Sequence, residues 1–372
     1  MSNETVHRTI VLSVVKHDYL PRAVAAHPRF ELVAVADHAE QPDWVHDRNQ
    51  LFADEFGIPY LRGVDQALAQ SGATVAVISS EAERHCELGV RAANAGLNVI
   101  LDKPLALNLE VADLLLAAVQ STGVHSLVWN RNYLPALVQT KALLDAGKIG
   151  QLRSIHCDFY FSKDAGPRKG SRVPGDPPIN WLERQLEAHV DGSDGGVGVE
   201  AMGELQIEGI YPLGYLHRLT GQLVEKVYAR TASHFHQANV DNDVDDLATV
   251  SLEMVGGVVA SLCIGRIGAA AHPDIGEIKL HLVGSDGALV VTEARPEVSV
   301  YHRGQLPHEF KHRRIADQNN YLLMEEFAQA LEGGGLPPVI DVLGARNITA
   351  TVMAALESGR TGQVVTVKNR ES

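Results

Sequence analysis

Two joined α/β units are what this sequence predicts: a parallel-sheet domain over residues 1–129, then a larger α+β domain with a large, mostly antiparallel sheet over residues 130–372. Three observations predict it. Short apolar runs alternate with helical stretches through the first third of the chain, a rhythm that implies right-handed crossovers and a parallel sheet. That rhythm changes after about Asn130. Beyond it, strand-like stretches are joined by the hairpin signals Gly256-Gly257 and Gly284-Ser285-Asp286-Gly287, which read as antiparallel pairing.

In order, Thr9 to Val15 reads as a strand and Leu20 to Ala26 as the helix after it. Phe30 to Ala36 is a second strand ending at Asp37, with a helix around Trp44 to Phe56. Tyr60 starts a short strand, Val64 to Gln70 is helical, and Ala73 to Ser79 is a buried apolar strand. Arg84 to Ala95 is a helix closed by Gly96, the residue type that most readily turns left-handed at a helix end. Asn98 to Leu101, Leu109 to Thr122 and His125 to Trp129 follow as strand, helix and strand. In the second unit Ala136 to Ala146 is a helix, Gln151 to Phe161 alternates like a half-exposed strand, and Leu205 to Leu219 reads as one helix despite Pro212. A Pro-, Gly- and charge-rich loop from Ser162 to Pro178 is long enough to suggest a substrate-facing or assembly role. Strands are expected at Val224 to Ala232, Ala248 to Met254, Gly257 to Ile264, Glu277 to Val283, Ala288 to Thr292 and Val298 to His302. Helices at Asn320 to Leu331 and Gly344 to Ser358 close the pattern.

Composition narrows the function. With 32 basic and 46 acidic residues the net charge is 32 − 46 = −14, which argues against nucleic-acid binding, where clustered Lys and Arg meet phosphates. Three scattered cysteines, Cys86, Cys157 and Cys263, form neither a zinc spacing nor a disulfide framework and fit a reducing cytoplasm. No apolar run approaches the length of a membrane span, and MSNETVHRTI has no signal core, so a cytoplasmic protein acting on a small molecule is expected.

Several pieces share an order and spacing: ELVAVAD ending at Asp37, AERHCELGVRAANAGLNVILDKPLA around Asp102-Lys103-Pro104, LLDAGKIGQL, VDDLATVSLEM, LVGSDGALVV and ESGRTGQVV. Together they make the chain resemble the glucose-fructose oxidoreductase and inositol dehydrogenase (Gfo/Idh/MocA) family over nearly its whole length. The resemblance implies a Rossmann-like dinucleotide-binding domain, a substrate and oligomerisation domain, and hydride exchange between a nicotinamide cofactor and a carbinol carbon of a sugar, polyol or glycoside. It also implies a homodimer or homotetramer.

The resemblance assigns roles residue by residue. Asp102-Lys103-Pro104 stands where relatives carry Glu-Lys-Pro or Asp-Lys-Pro, at a strand end where such sheets bind ligands. There the Lys103 ammonium can touch cofactor and substrate hydroxyl, beside Asp102. Asp37 can accept from the adenosine ribose and repel a 2′-phosphate, favouring NAD over NADP; read without the family, it is a helix cap. Ser79 and Ser80 occupy the turn under the dinucleotide, and His85 matches a family His. The turn after the first strand, Ser13 to Tyr19, has no glycine where relatives have a Gly-rich loop. Either Lys16, His17 and the helix backbone bind phosphate, or the cofactor sits differently, or the pocket has been lost. Relatives often have Asp, then His or Tyr four residues on, then Asp three further. Here these positions are Ile207, Tyr211 and Gly214. Tyr211 is then the proton-transfer candidate if Lys103 lowers its pKa, with Glu208 and His217 nearby. Arg131 and Asn132 are placed to meet substrate hydroxyls, Asn132 standing where relatives often have Arg.

Three patterns read as decoys: His234-x-His236 lacks a third metal ligand, Asp241-x-Asp243-x-Asp245 lacks the Gly and Glu of a calcium loop, and Gly195-Gly196-x-Gly198 follows no strand. No metal is expected. Two function classes remain open: an NAD-dependent oxidoreductase, and a catalytically silent member that senses a ligand or regulates a partner.

Overall fold

The structure, a computed structural model, describes residues 5–15, 18–161, 182, 201–266, 276–293, 297–302, 304–311, 316–333 and 340–371. The first domain runs β1 His7–Leu12, α1 Tyr19–Ala25, β2 Phe30–Asp37, α2 Asp43–Phe56, β3 Tyr60–Arg62, α3 Val64–Gln70, β4 Val75–Ile78, α4 Ala82–Asn94, β5 Asn98–Leu101, α5 Leu109–Thr122 and β6 Ser126–Val128. The strands lie in the order β3-β2-β1-β4-β5-β6, all parallel. Strand direction of winding reverses between β1 and β4, so a crevice forms beyond the carboxyl ends of β1, β4 and β5. Helices on both faces explain why β4 is apolar throughout, with every residue of Val75–Ile78 buried.

The second domain comprises α6 Pro135–Asp145, β7 Leu152–Phe161, α7 Glu204–Glu208, α8 Ile210–Thr220, β8 Val224–Ala232, α9 Gln237–Asp241, β9 Leu247–Met254, β10 Val259–Gly265, β11 Gly276–Gly284, β12 Ala288–Thr292, β13 Glu297–Tyr301, β14 His308–Lys311, α10 Ala316–Leu331, α11 Val342–Thr361 and β15 Val365–Thr366. Its sheet order is β14-β13-β12-β11-β7-β10-β9-β8-β15. Only the β7–β10 pair of this sheet is parallel among the described strands. On β9, Ala248, Val250, Leu252 and Met254 point inward while Thr249, Ser251 and Glu253 point out, the alternation of a sheet with one covered face. Each fully buried Leu or Ile on that face contributes roughly 1.5–3 kcal/mol.

The single helix expected at Leu205 to Leu219 is two, interrupted at Gly209. Pro212 has no N–H to donate to the carbonyl four residues back, and its ring crowds that carbonyl, so the helix restarts with Pro212 in its first turn. Three short elements go beyond the sequence reading: α9, β14 and β15. The loop expected at Ser162 to Pro178 and the glycine cluster Gly195 to Gly198 lie outside the described residues.

Helix α11 ties the two domains together. Val342 N–H donates to Ser126 Oγ at 3.0 Å, Val128 N–H to Ile340 O at 2.8 Å, and Arg346 pairs with Asp113 at 2.7 Å on the first-domain side. On the other side Ala229 N–H donates to Ser358 Oγ at 2.9 Å. Gly359 permits the close approach to β8: a Cβ there would sit 2.6 Å from Thr231 Oγ1.

Candidate functional site

Strand β5 ends at Leu101, and the turn that follows carries Asp102-Lys103-Pro104 into the crevice. Asp102 is fully buried, and its Oδ1 accepts from Tyr19 O–H at 2.7 Å and from Lys103 N–H at 2.8 Å. Asp102 is thereby a strut that fixes the turn against α1. Burial pushes the Tyr19 phenol far up, and the Asp102 charge pushes it further.

Lys103 is 7% exposed, and its Nζ lies 3.1 Å from Glu208 Oε1 and 3.4 Å from Ile207 O. Burial works against its charge, but Glu208, Tyr211 and Asp102 outweigh it and the ammonium's pKa stands above its ordinary value. The Tyr211 ring centroid lies 5.2 Å from Lys103 Nζ and 5.4 Å from the Arg131 guanidinium carbon, and the ring stacks on Phe159 at 6.1 Å. Burial drives the Tyr211 phenol up to about 12; Lys103 pulls down and Glu208 pushes up. The condition set for Tyr211 as a base at neutral pH, a pKa lowered by Lys103, is therefore not met: desolvation exceeds the Lys103 charge.

The carboxylate missing at Ile207 is supplied one residue later, since Glu208 places its oxygen on Lys103. Glu208 Oε1 also receives Arg266 Nη2 at 2.9 Å, while Arg266 Nε donates to Glu204 Oε2 at 2.7 Å. Glu204 and Glu208 stand four apart on α7, one helical face, and Arg266 follows β10. Burial raises the Glu204 carboxyl to about 7 against the pull of Arg266. Sequence reasoning passed over Glu204 and Arg266; the four-residue spacing of two glutamates was the one local signal. Asp245 anchors α7 by accepting from Leu205 N–H at 2.9 Å.

Arg131 is held by Glu293, 2.6 Å away, and Glu293 also accepts from Tyr215 O–H at 3.1 Å. Asn132 is fully buried, and neither its side-chain oxygen nor its nitrogen has a partner among the described residues. It faces Gly214, where an added Cβ would meet the Asn132 amide at 3.6–3.7 Å, ordinary contact. Beside Gly214 the interior thus holds an amide whose donor and acceptor are both unused among the described residues. His217 sits in the last turn of α8 and acts electrostatically on Asp341, away from Lys103.

At the other end of the crevice, Ser13 has φ 64°, the left-handed region that glycine enters most easily. The backbone keeps a glycine-like turn with a serine in it, and Val14 N–H is held by Asn49 Oδ1 at 2.9 Å. Lys16 and His17 lie outside the described residues. Ser79 and Ser80 are fully buried, Ser80 Oγ donating to Glu81 O at 3.1 Å. Both ring nitrogens of His85 face main-chain carbonyls, Pro104 O at 2.8 Å and Ser80 O at 2.9 Å, so His85 braces the two turns that floor the crevice. Asp37 is buried and ion-paired with Arg84 at 2.6 Å. Burial opposes the Asp37 charge, but Arg84 prevails and holds the carboxyl below its usual range. The fit to a dinucleotide rests on the turn at Ser13 and on Glu81 Oε1, a buried acceptor with no partner among the described residues.

The His234-x-His236 segment is held by structural contacts. His236 Nε2 lies 2.7 Å from Arg266 O, and Asp246 accepts three consecutive main-chain N–H groups, from His234, Phe235 and His236. Among the described residues no cluster could hold a metal ion, and no helix is long and apolar enough to cross a membrane.

Residues 13–129 match a family model described as an oxidoreductase family with an NAD-binding Rossmann fold, and residues 200–290 match the GFO/IDH/MocA C-terminal domain. The trans-1,2-dihydrobenzene-1,2-diol dehydrogenase of Mus musculus is 27% identical over 58% of the chain; the match spans 56% of that relative, little more than half its length. The inositol 2-dehydrogenase of Rhizobium meliloti is 24% identical over 84% of each chain. An oxidoreductase from Agrobacterium radiobacter, solved with NAD+, L-tartaric acid and magnesium, aligns with a TM-score of 0.78 at 17% identity, covering 97% of this chain and 98% of that one. At that identity the likeness is one of fold.

Proposed function

The chain belongs to the GFO/IDH/MocA oxidoreductase family, and from that premise we propose that it is an NAD-dependent dehydrogenase or reductase acting on a carbinol carbon of a sugar, polyol or glycoside. The observation that carries this reading is Lys103 Nζ, buried just beyond the end of β5 and held by Glu208 at 3.1 Å. When bound, NAD+ supplies the acceptor for the hydride that leaves the carbinol carbon. The chain's own groups handle the rest. The Lys103 ammonium faces the substrate oxygen and stabilises the negative charge that grows there as the O–H proton departs. Glu208, bonded to that same ammonium, is the group placed to take the proton. Tyr211, protonated at neutral pH, keeps water from the lysine and offers a hydrogen-bond donor. Asn132 offers an unused donor and acceptor to further hydroxyls, and Arg131 is fixed beside it by Glu293. Glu81, Ser79, Ser80 and the turn at Ser13 line the dinucleotide side, with Lys16 and His17 as proposed phosphate contacts.

The test is a screen of sugars and polyols with NAD+, following absorbance of the reduced nicotinamide. At least one polyol is expected to turn over; none turning over, in a protein that retains bound dinucleotide, overturns the enzyme reading. A second reading, a silent ligand sensor, draws support from the closed state of Asp37, whose carboxylate is fully engaged by protein groups. Stoichiometric NAD released on denaturation speaks for the enzyme.

We also propose a cytoplasmic homodimer or homotetramer assembled through the outer face of the nine-stranded sheet. Tyr228, Val259, Val283 and Tyr301, each 40% exposed or more, lie on that face, and three unpaired cysteines suit a reducing compartment. Light scattering at micromolar concentration checks the assembly, and a monomer contradicts it.

A further inference from the structure

Arg84, the third residue of α4, dominates the adenosine end of the crevice. Its Nη1 donates to Asp37 Oδ1 at 2.6 Å and its Nη2 to Asp37 Oδ2 at 3.4 Å. Nε and Nη2 reach Glu81 Oε2 at 2.9 and 2.7 Å, and Nη2 lies 3.4 Å from Ser13 Oγ. Asp37 accepts two further bonds, from His38 N–H at 2.8 Å and from Asn49 Nδ2 at 3.0 Å. A carboxylate has about four acceptor directions, and here all four are taken on a group that is 0% exposed. A ribose diol, which donates to its carboxylate, finds no free acceptor on Asp37 while Arg84 stays in place. Glu81 Oε1, on the carboxylate whose other oxygen holds the same guanidinium, is a buried acceptor with no partner among the described residues. The Arg84 side chain is 16% exposed, so its charge reaches the crevice.

We infer that Arg84 sets the dinucleotide selectivity of this chain: it withholds Asp37 from the ribose, leaves Glu81 to receive the 2′-hydroxyl, and keeps a positive charge where the 2′-phosphate of NADP would lie. The inference rests on the dinucleotide reading above. Two carboxylates and one guanidinium leave this end with one net negative charge, where Asp37 and Glu81 without Arg84 would carry two. Preference for NAD over NADP is accordingly weaker than a bare strand-end Asp imposes, and removing Arg84 sharpens it. Both effects of removal, a freed acceptor for the hydroxyl and a lost cation for the phosphate, act in the same direction on the ratio of affinities.

The experiment titrates NADH and NADPH into the purified full chain, by nicotinamide fluorescence or calorimetry, for wild type, Arg84→Met and Arg84→Lys. In Arg84→Met the ratio of the NADPH Kd to the NADH Kd is expected to rise by about tenfold or more, the size of one unit charge acting near a surface. Arg84→Lys, which keeps the charge and loses the fork, stays within about threefold of wild type on the same scale. A ratio unchanged in a folded Arg84→Met overturns the inference while leaving the dinucleotide reading intact. If the Met variant fails to fold, Arg84→Gln, which keeps two donors for the carboxylates, carries the same comparison with the same expected rise. Binding of neither dinucleotide to wild type overturns both readings, and is distinguishable because it is an absence of signal rather than an unaltered ratio.

Discussion

The two ends of the crevice each hold a guanidinium between two carboxylates, Asp37–Arg84–Glu81 and Glu204–Arg266–Glu208, and they differ in how they are built. The first is drawn from one domain and its arginine is 16% exposed; the second joins α7 to the end of β10, and its arginine is 2% exposed. An arginine that reaches solvent sits in a higher dielectric and can meet a ligand's charge directly. A fully buried pair cannot be opened without stranding charge in the interior, so it behaves as fixed framework. The framework stands at the proposed chemistry, where Lys103 lies 3.1 Å from Glu208, and the partly exposed arginine stands where the cofactor's far end is proposed to enter.

The largest expected effect tests that contrast at the substrate end. Lys103→Ala should lower turnover of any identified substrate by about 10²–10⁴-fold, the usual worth of a positioned proton-transfer group. The fold should survive, because Glu208 keeps Arg266. Equal turnover by both proteins would remove Lys103 from the reaction. Next in size is Arg266→Met, which strips Glu204 of its cation and leaves Glu208 with Lys103 alone. A loss of about 3–5 kcal/mol in urea unfolding is expected, and a loss near zero would show that the cluster is not the rigid element described.

The two ends should also titrate in opposite senses. Glu204 has a folded value of about 7, raised from 4.5 by burial. The folded state therefore holds a proton that the unfolded chain has released, and stability is full below about pH 4.5 and falls as pH rises through 7. Asp37 is held below its ordinary 3.8 by Arg84 despite burial. Its contribution is present above that value and is lost as pH falls through the folded one. Unfolding midpoints against pH should lose their neutral slope, roughly 1–3 kcal/mol, in Glu204→Gln. They should lose only their acid slope in Asp37→Asn. The reverse pattern would mean that the two clusters have been assigned the wrong way round. The smallest effect is expected at Ser13→Gly. Relief of a left-handed serine, roughly 1–2 kcal/mol, is offset by the greater freedom of glycine in the unfolded chain. A gain of at most about 1 kcal/mol should appear in thermal unfolding.

How far the sequence could be read follows the range of the forces involved. Strands such as Val75–Ile78 and helices such as Leu109–Thr122 are written in local apolar periodicity, and the Asp102-Lys103-Pro104 turn stands at a strand end. Strand β14, His308–Lys311, is exposed at every position, and β15 has two residues, so neither leaves an alternation to detect. Pro212 carries a signal in the sequence, but its effect falls on the carbonyl four residues upstream, where no residue type marks it. At the site Lys103, Tyr211, Arg131 and Glu208 are brought together as the motifs suggested. The Arg266–Glu204 pair spans 62 positions and the Arg84–Asp37 pair 47, and an ion pair between distant segments has no periodicity of its own.

Helix α11 also bears on how the molecule assembles. It hydrogen-bonds to β6 through Ser126 and to β8 through Ala229, so neither sheet has its edge and flank completed until the final described helix is in place. Contacts between segments more than 200 residues apart form late and slowly, because a long loop must close before they give anything back. A nascent first domain would wait with Ser126 and Asp113 unpaired, and the crevice would acquire its back wall only once the last helix docks. The cofactor half is thus synthesised first and finished last.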